Sequence, residues 1–272
     1  VYHIIDTLKT VPAYKSYVDI INLVLTGYYK TGPVELGPIV SVVSYNKLEG
    51  WRFGMGIRTN DKMCKWAQVG GHFAYGLRDK RFKGDASAQF LIYKNPRQII
   101  SASYAHDVSE LSKTNDLLAS DNILSIIINR RKPDVRLLYF DDAKISYNIE
   151  YKQGLSMGLT LQNRKIEQGL VPFRYLYTNK ESGIDTFNTL RQTELVLNAR
   201  FAIGEKYIDK NSLFRSSINT YKVPVIQFEY VYGIKRFLGS QFNYHKLTLS
   251  FAQIIPVRTI WRFEMTMSAC DS

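Results

Sequence analysis

The chain is poor in the residues that would suggest a disulfide-stabilised or metal-bound fold. Cys64 and Cys270 are its two cysteines, too few and too far apart for a disulfide framework or a zinc site. Whether they pair stays open, and two ordinary small side chains are the simpler interpretation. No metal-ligand spacing links the four histidines, which are His3, His72, His106 and His245. We therefore expect neither a metal ion nor a cofactor.

Long apolar runs are also missing. The longest, residues 18–25, is interrupted by Asp19 and Asn22 and is far shorter than the ~20 residues of a membrane-spanning helix. Residues 1–6 have neither the basic residues nor the apolar core of a secretion signal. We therefore expect no transmembrane helix, and we interpret the chain as a mature or excised part of a longer protein.

Acidic residues are fewer than basic residues: the chain has 24 Asp and Glu and 36 Lys and Arg, for a formal net charge of +12. Such a charge suggests an anionic partner such as nucleic acid, phosphorylated lipid or acidic polysaccharide. The basic residues form short clusters, at 78–83 and 130–132, and neither a continuous basic helix nor a base-reading motif is present. The sequence therefore argues against a nucleic-acid partner.

Helical spacing is confined to residues from about 6 to 25, where apolar residues recur at three- and four-residue steps. Pro12 suits a first helical turn, and Gly27 ends the pattern. These features predict a short N-terminal helix within a lead-in at residues 1–30.

Over residues 31–272 the apolar period becomes two. Trp51, Phe53, Met55 and Ile57 alternate with Arg or Gly, and residues 145–162 read as a hairpin that turns near 153–154. Roughly ten to twelve strands follow one another as hairpins. Short turns near 153–154 and 239–240 contrast with longer connections at about 107–122, 167–189 and 204–221. This pattern predicts an all-β fold, an antiparallel up-and-down transmembrane β-barrel that is only partly present.

The polar stripe of such a wall would face the lumen. Its charges would either pair and support the wall, or form a selectivity or plug-docking surface, and both interpretations remain open. The lumen-facing candidates are Arg52, Arg58, Gln68, His72, Glu150, Glu194, Arg200, Glu229, Lys246, Arg262 and Glu264.

Aromatic residues are abundant, with 19 Tyr, 14 Phe and 3 Trp. Several stand where the apolar stripes begin or end, as in the aromatic girdles of outer-membrane barrels. These interfacial candidates are Trp51, Tyr75, Tyr93, Tyr104, Tyr147, Tyr151, Tyr232 and Trp261. The basic tip at 78–83 is either a contact for lipid phosphates, including those of lipopolysaccharide, or a solvated turn.

Two stretches carry a family resemblance: YNKLEGWRF at 45–53 with GIRTN at 56–60, and GHFAYG at 71–76 followed by DKRFK at 79–83. They resemble the motifs of an uncharacterised outer-membrane barrel family of Gram-negative bacteria. The resemblance implies an outer-membrane location, a signal peptide and a small carboxypeptidase-regulatory-like domain ahead of the barrel. That domain and a closing terminal strand are not found in this chain, so we expect an incomplete barrel that forms no aqueous pore alone.

Three functional hypotheses remain. The first is a non-catalytic outer-membrane barrel, with outer-membrane lipid as its partner, that serves transport, surface assembly or envelope maintenance. The second is a soluble β-barrel that binds a hydrophobic ligand, in which alternation marks core against solvent. The third is a membrane-embedded hydrolase using His72 or His245, although the chain has no G-x-S-x-G elbow. His106 and Asp107 are adjacent, so on a strand they would point to opposite faces.

Overall fold

A computed structural model describes most of the chain. The described residues are 23, 27–110, 137–152, 154–169, 175–179, 183–187, 189–209, 213, 215–217, 223–257 and 259–271. Apart from Leu23, the predicted N-terminal helix lies outside them, and the lead-in enters its first strand by Tyr29. Within these described parts, no helix is both long and apolar enough to cross a membrane.

Strands dominate the described residues, as the period of two predicts. They are β1 (Tyr29–Thr31), β2 (Val34–Leu36), β3 (Val43–Asn46), β4 (Gly50–Thr59), β5 (Ala67–Gly76), β6 (Phe82–Lys94), β7 (Arg97–Glu110), β8 (Leu137–Lys152), β9 (Leu155–Glu167), β10 (Tyr175–Asn179), β11 (Gly183–Phe187), β12 (Thr189–Phe201), β13 (Tyr207–Asp209), β14 (Arg215–Ser217), β15 (Val225–Gly233), β16 (Tyr244–Val257) and β17 (Thr259–Asp271).

One large antiparallel sheet contains most of these strands. Its order is β1-β2-β4-β5-β6-β7-β8-β9-β12-β15-β16-β17, and β3 also pairs with β4, which makes 13 strands. The hairpins β10–β11 and β13–β14 lie outside it. The structure therefore confirms an all-β, antiparallel, up-and-down sheet, including the predicted hairpin of β8 and β9. Among the described strands the sheet is open, with β1 and β17 at its two edges.

Connections alternate between two ends of the sheet because each strand runs antiparallel to its neighbour. At the end we call the turn end, they fall at 60–66, 95–96, 153–154, 202–224 and 258. At the opposite end, the loop end, they fall at 77–81, 111–136, 168–188 and 234–243. Two of the three long connections, 111–136 and 168–188, lie at the loop end, and the third, 202–224, lies at the turn end.

The predicted long connections need correction. The first was placed from about residue 107, but β7 continues through Glu110 because its hydrogen-bonded partner β8 extends that far. The connections predicted at 167–189 and 204–221 contain the hairpins β10–β11 and β13–β14. These strands are too short for a period of two to stand out in the sequence. The turn expected near 239–240 lies within the longer connection 234–243.

The glycines of β4 allow a second segment to lie against that strand. Residues 37–42, between β2 and β3, bond to β4 through Gly37 N to Gly56 O and Gly54 N to Val42 O, both 2.9 Å. A Cβ on Gly56 would clash with the carbonyl oxygen of Gly37. The pattern Gly54-x-Gly56 therefore serves packing within the sheet, in agreement with its position inside a strand.

We expect Gly56→Ala to lower the free energy of unfolding by about 1–3 kcal/mol, because the new methyl group meets a backbone carbonyl that cannot rotate away. Gly158→Ala is the matched control, since its methyl group would meet only the side-chain oxygens of Asn148 and Asn198. Denaturant-unfolding midpoints measure both. Equal losses for the two variants would contradict this account.

Candidate functional site

The sheet separates apolar from charged side chains onto two faces. On β4, Trp51, Phe53, Met55 and Ile57 are exposed on one face, while Arg52 and Arg58 lie half-buried on the other. The strand register carries this division across the sheet, because directly opposed residues share a face. We call these the apolar face and the ionic face.

Nine of the eleven polar candidates fall on the ionic face by register: Arg52, Arg58, Gln68, His72, Glu150, Glu194, Arg200, Glu229 and Lys246. The sheet brings Arg52, Arg58, Gln68, His72, Glu150, Glu194 and Arg200 to oppositely charged or hydrogen-bonding partners. Glu229 and Lys246 are placed by the register alone. Arg262 and Glu264 belong to β17, and the face that they take stays a prediction.

Seven of the eight aromatic candidates fall on the apolar face, at differing depths. Toward the loop end of their strands lie Trp51, Tyr75 and Tyr232, and toward the turn end lie Tyr93 and Tyr151. Trp261 belongs to the turn end of β17, and the face that it takes stays a prediction. Tyr104 and Tyr147 lie further inside β7 and β8. The aromatic residues therefore occupy both ends of the apolar face, with two exceptions.

Six residues converge at the loop end, and we call them the loop-end cluster: Glu49, Arg52, Asp79, Lys83, Asp107 and Tyr139. The register places Arg52, Lys83 and Asp107 on the ionic face. Tyr139 is opposite Val108 on the other face and reaches the cluster through its hydroxyl. Lys83 is at the centre of the cluster, with Nζ 2.6 Å from Glu49 Oε1 and 2.5 Å from Asp79 Oδ2. Tyr139 donates its hydroxyl to Asp79 Oδ2 at 2.8 Å. Glu49 and Lys83 are only 0% and 3% exposed, so their charges survive because they are paired.

Arg52 ties distant strands of the sheet together. Its guanidinium contacts both oxygens of Asp107, at 2.5 and 2.9 Å, and lies 3.4 Å from Glu49 Oε1. Arg52 belongs to β4 and Asp107 to β7, three positions away, which is about 14 Å across a flat sheet. Direct contact between them means that the sheet curls toward its ionic face.

The local sequence explains how Glu49 and Arg52 reach this place. Asn46 Oδ1 accepts hydrogen bonds from the backbone N–H groups of Leu48 and Glu49, at 3.0 and 2.8 Å, which closes the β3–β4 turn. Gly50 follows with φ of +69°, a left-handed conformation that favours glycine. The stretch N-x-x-E-G-x-R therefore builds a turn and delivers one acid and one base to the ionic face.

The second motif stretch supplies the other half of the cluster. Asp79 and Lys83 flank the start of β6, and a Cβ on Gly76 would clash with Asp79 Oδ1. Burial opposes ionisation of Asp79, but hydrogen bonds from Lys83 and Tyr139 outweigh it and lower the pKa of the carboxyl. Arg81 lies over the ring of Tyr139, 4.5 Å from the ring centroid, and adds positive charge nearby.

The described histidines have different partners, and His245 Nδ1 lies 2.7 Å from the hydroxyl of Tyr230. His106 pairs with Asp141 on the apolar face and Asp107 with Arg52 on the ionic face, so these neighbours point to opposite faces as predicted. His72 Nδ1 lies 3.1 Å from Asp85, and its Nε2 has no hydrogen-bond partner in the described parts of the chain. Across those same parts, no group of three or more His, Cys, Asp or Glu residues is placed to hold a metal ion.

Sequence reasoning missed five of the six residues of the loop-end cluster. Glu49, Asp79 and Lys83 were available as members of the motif stretches, but only Arg52 was selected from the alternating pattern. Asp107 and Tyr139 carried no local signal, because their roles depend on how the sheet curls. The cluster neutralises buried charge, and its ion pairs and hydrogen bonds hold the loop ends of β4 to β8 together.

We expect Glu49→Gln to cost about 3–5 kcal/mol of unfolding free energy, because it leaves the Lys83 ammonium with one fewer counter-charge in a buried place. The control is Glu167→Gln, which breaks a 2.5 Å pair with Lys165 where both side chains are about a third exposed. That loss should be about 0–1 kcal/mol. Similar losses in denaturant unfolding would contradict the burial argument.

Asp79 should make stability depend on pH. Its pKa in the folded state is below the unfolded value of 3.8, so its ionisation stabilises the fold above that value. The contribution is lost as pH falls through the folded pKa. Asp79→Asn should therefore flatten the stability profile below about pH 4 relative to the wild type. Unfolding midpoints across this range are the measurement, and identical profiles for the variant and the wild type would refute the assignment.

A comparison with known protein families supports the family resemblance that the two motif stretches carry. The profile of a family of unknown function, DUF5686, C-terminal domain, matches residues 24–271, which include every strand from β1 to β17. No curated protein matches the chain. The match confirms the resemblance to an uncharacterised family, and it covers nearly the whole chain. The chain therefore belongs to the family of unknown function DUF5686, as its C-terminal domain.

Proposed function

We propose that this chain forms the wall of an outer-membrane β-barrel that catalyses no reaction and serves transport, surface assembly or envelope maintenance. The observation that carries the proposal is the inverted distribution of side chains. On the apolar face Phe73, Ile145 and Met55 are 62%, 60% and 48% exposed. On the opposite face Glu49 and Lys83 are buried. Hydrocarbon outside and paired charge inside is the pattern of a barrel wall in lipid.

The extent of the apolar face supports lipid as its occupant. It extends from β4 to β16 and includes exposed Trp51, Phe73, Ile145, Leu197 and Leu249, and the pair of His106 with Asp141 lies on it toward the loop end. Soluble proteins rarely expose apolar patches larger than a few hundred Å². Acyl chains cover such a surface along its whole length without requiring a shaped partner.

Strand dimensions fit the same environment. β4 and β5 have 10 residues each, and β6 to β9 have between 13 and 16. A tilted strand needs about 9–11 residues to cross a bilayer. Lipid does not tolerate the unpaired edges at β1 and β17, so we propose that the sheet closes, or is completed by further strands, in the membrane. In this proposal residues 1–30 lead into the barrel and residues 31–272 form its wall, as the sequence predicts.

The two ends of the wall suggest its orientation. Outer-membrane barrels have short periplasmic turns and long outer loops, so the turn end would be periplasmic and the loop end external. The exposed basic tip with Arg78, Lys80 and Arg81 then lies where lipopolysaccharide phosphates are found. The family resemblance supports this location, and with it an upstream carboxypeptidase-regulatory-like domain.

The alternatives have less support. A soluble barrel that binds a hydrophobic ligand needs an apolar interior, whereas the curled sheet turns its charges inward. A hydrolase needs a nucleophile beside its histidine, and His72 Nε2 has no hydrogen-bond partner among the described residues. The hydroxyl of Tyr230 contacts His245, but both residues lie on the apolar face, which we propose is covered by lipid.

A matched pair of methionines tests the lipid contact. Met55 lies mid-strand on the apolar face and Met63 in the β4–β5 connection, 48% and 60% exposed. We expect Met55→Arg to cost about 2–4 kcal/mol in lipid vesicles, because it places a charge in the hydrocarbon layer. Met63→Arg should stay within about 0.5 kcal/mol, as surface substitutions do.

Unfolding by guanidinium in vesicles gives both free energies. A small loss for both variants would place Met55 in water and refute the lipid contact. Heat-modifiable gel migration of the membrane fraction provides an independent check. A chain that stays folded and monomeric without detergent would contradict the membrane proposal.

A further inference from the structure

One transverse row of the ionic face carries three charged residues close to the turn end. Arg97 on β7 is opposite Glu150 on β8, Glu150 is opposite Ser156 on β9, and Ser156 is opposite Arg200 on β12. The row therefore crosses four neighbouring strands at one level. We call it the charged row.

The connection from β12 to β15 is far longer than its path requires. These two strands are neighbours in the sheet, and a hairpin between neighbours needs about two to five residues. The chain instead takes residues 202–224, although every other connection at the turn end is short. We call the described part of this connection, residues 202–209, 213 and 215–217, the strap.

Each charged member of the row holds a different part of the strap. Arg200 contacts both oxygens of Glu205, at 2.6 and 3.0 Å. Glu150 Oε2 lies 3.2 Å from the guanidinium of Arg215. Arg97 donates a 2.6 Å hydrogen bond to the backbone oxygen of Leu213.

These contacts show where the strap runs. Its contacts run from Arg200 on β12 to Glu150 on β8 and Arg97 on β7, a displacement of three strand positions or about 14 Å. Each of these contacts is on the ionic face, because every anchor in the row points to that face. Arg97, Leu213 and Glu205 are 8%, 6% and 1% exposed, so the contact is closely packed. A backbone bond from Ala202 N to Gly154 O, at 2.6 Å, holds its first residue.

We propose that the strap closes the turn end of the barrel lumen to hydrophilic solutes, with the charged row as its latch. The inference rests on the membrane barrel proposed above. The strap crosses the concave face of the wall where a solute would leave it, and its anchors are charged contacts that a partner or a change of ionic conditions can compete for. The plug-docking role considered for the polar stripe is thereby assigned to Arg97, Glu150 and Arg200.

Charge reversal and charge exchange test the latch in the natural full-length protein, reconstituted in lipid vesicles. Solute flux is followed by vesicle swelling with a small neutral sugar. Glu150→Arg and Arg215→Glu each break the pair and should raise permeability several-fold over the wild type. The double variant restores an opposite-charge pair and should return permeability toward the wild-type value. Arg164→Glu is the control, since it breaks a 3.0 Å pair with Asp142 that lies outside the strap.

The results separate the two proposals. Heat-modifiable migration of each variant reports insertion, so a wild-type protein that does not insert contradicts the membrane barrel itself. Inserted single variants with wild-type permeability would overturn the latch, and so would an equal increase in Arg164→Glu. Should charge reversal prevent folding, Glu150→Gln and Arg215→Gln remove the same pair more gently. Increased flux in these variants supports the latch, and unchanged flux refutes it.

Discussion

Buried charge on the ionic face can exist only where a partner of opposite sign lies in contact, and this requirement organises much of the sheet. Lys83 lies between Glu49 and Asp79, and Arg52 reaches Asp107 from three strand positions away. The second contact forms only when the sheet curls. A charge left alone there would cost several kcal/mol, so curl, register and turn geometry at the loop end support one another.

The apolar face follows from the same alternation of side chains. A strand sends alternate side chains to opposite sides, so each charge drawn to the ionic face is flanked by apolar residues on the other. Most of these residues stay exposed, although toward the loop end Thr193 and Asn163, on this face, donate hydrogen bonds to the backbone oxygens of Phe237 and Leu238. The small buried cluster joins Ala202 and Val223 of the β12–β15 connection to Val225 at the start of β15. A solvent of low polarity is the environment in which such a surface costs least.

The sequence predicts features that depend on neighbouring residues, and it does not predict contacts between residues far apart in the chain. Alternation is a local pattern, so it groups Arg52, Glu150 and Arg200 on one face without any knowledge of the pairing. The partners Asp107 and Tyr139 depend on curl, which no local pattern records. The strap escaped prediction because β13 and β14 have three residues each, too few to show a period. The predicted helix lies outside the described residues except for Leu23, so it stays a prediction.

The central claim is that alternate residues of each long strand contact lipid. Nitroxide labels at successive positions 100–104 of β7, in a chain whose Cys64 and Cys270 are replaced by serine, measure it directly. In lipid vesicles, collision with oxygen should be frequent at Ile100, Ala102 and Tyr104 and infrequent at Ser101 and Ser103. A water-soluble nickel chelate should collide less often with labels at Ile100, Ala102 and Tyr104 than with labels at Ser101 and Ser103. A profile without alternation, or one in which both sets meet the chelate equally, would contradict the account.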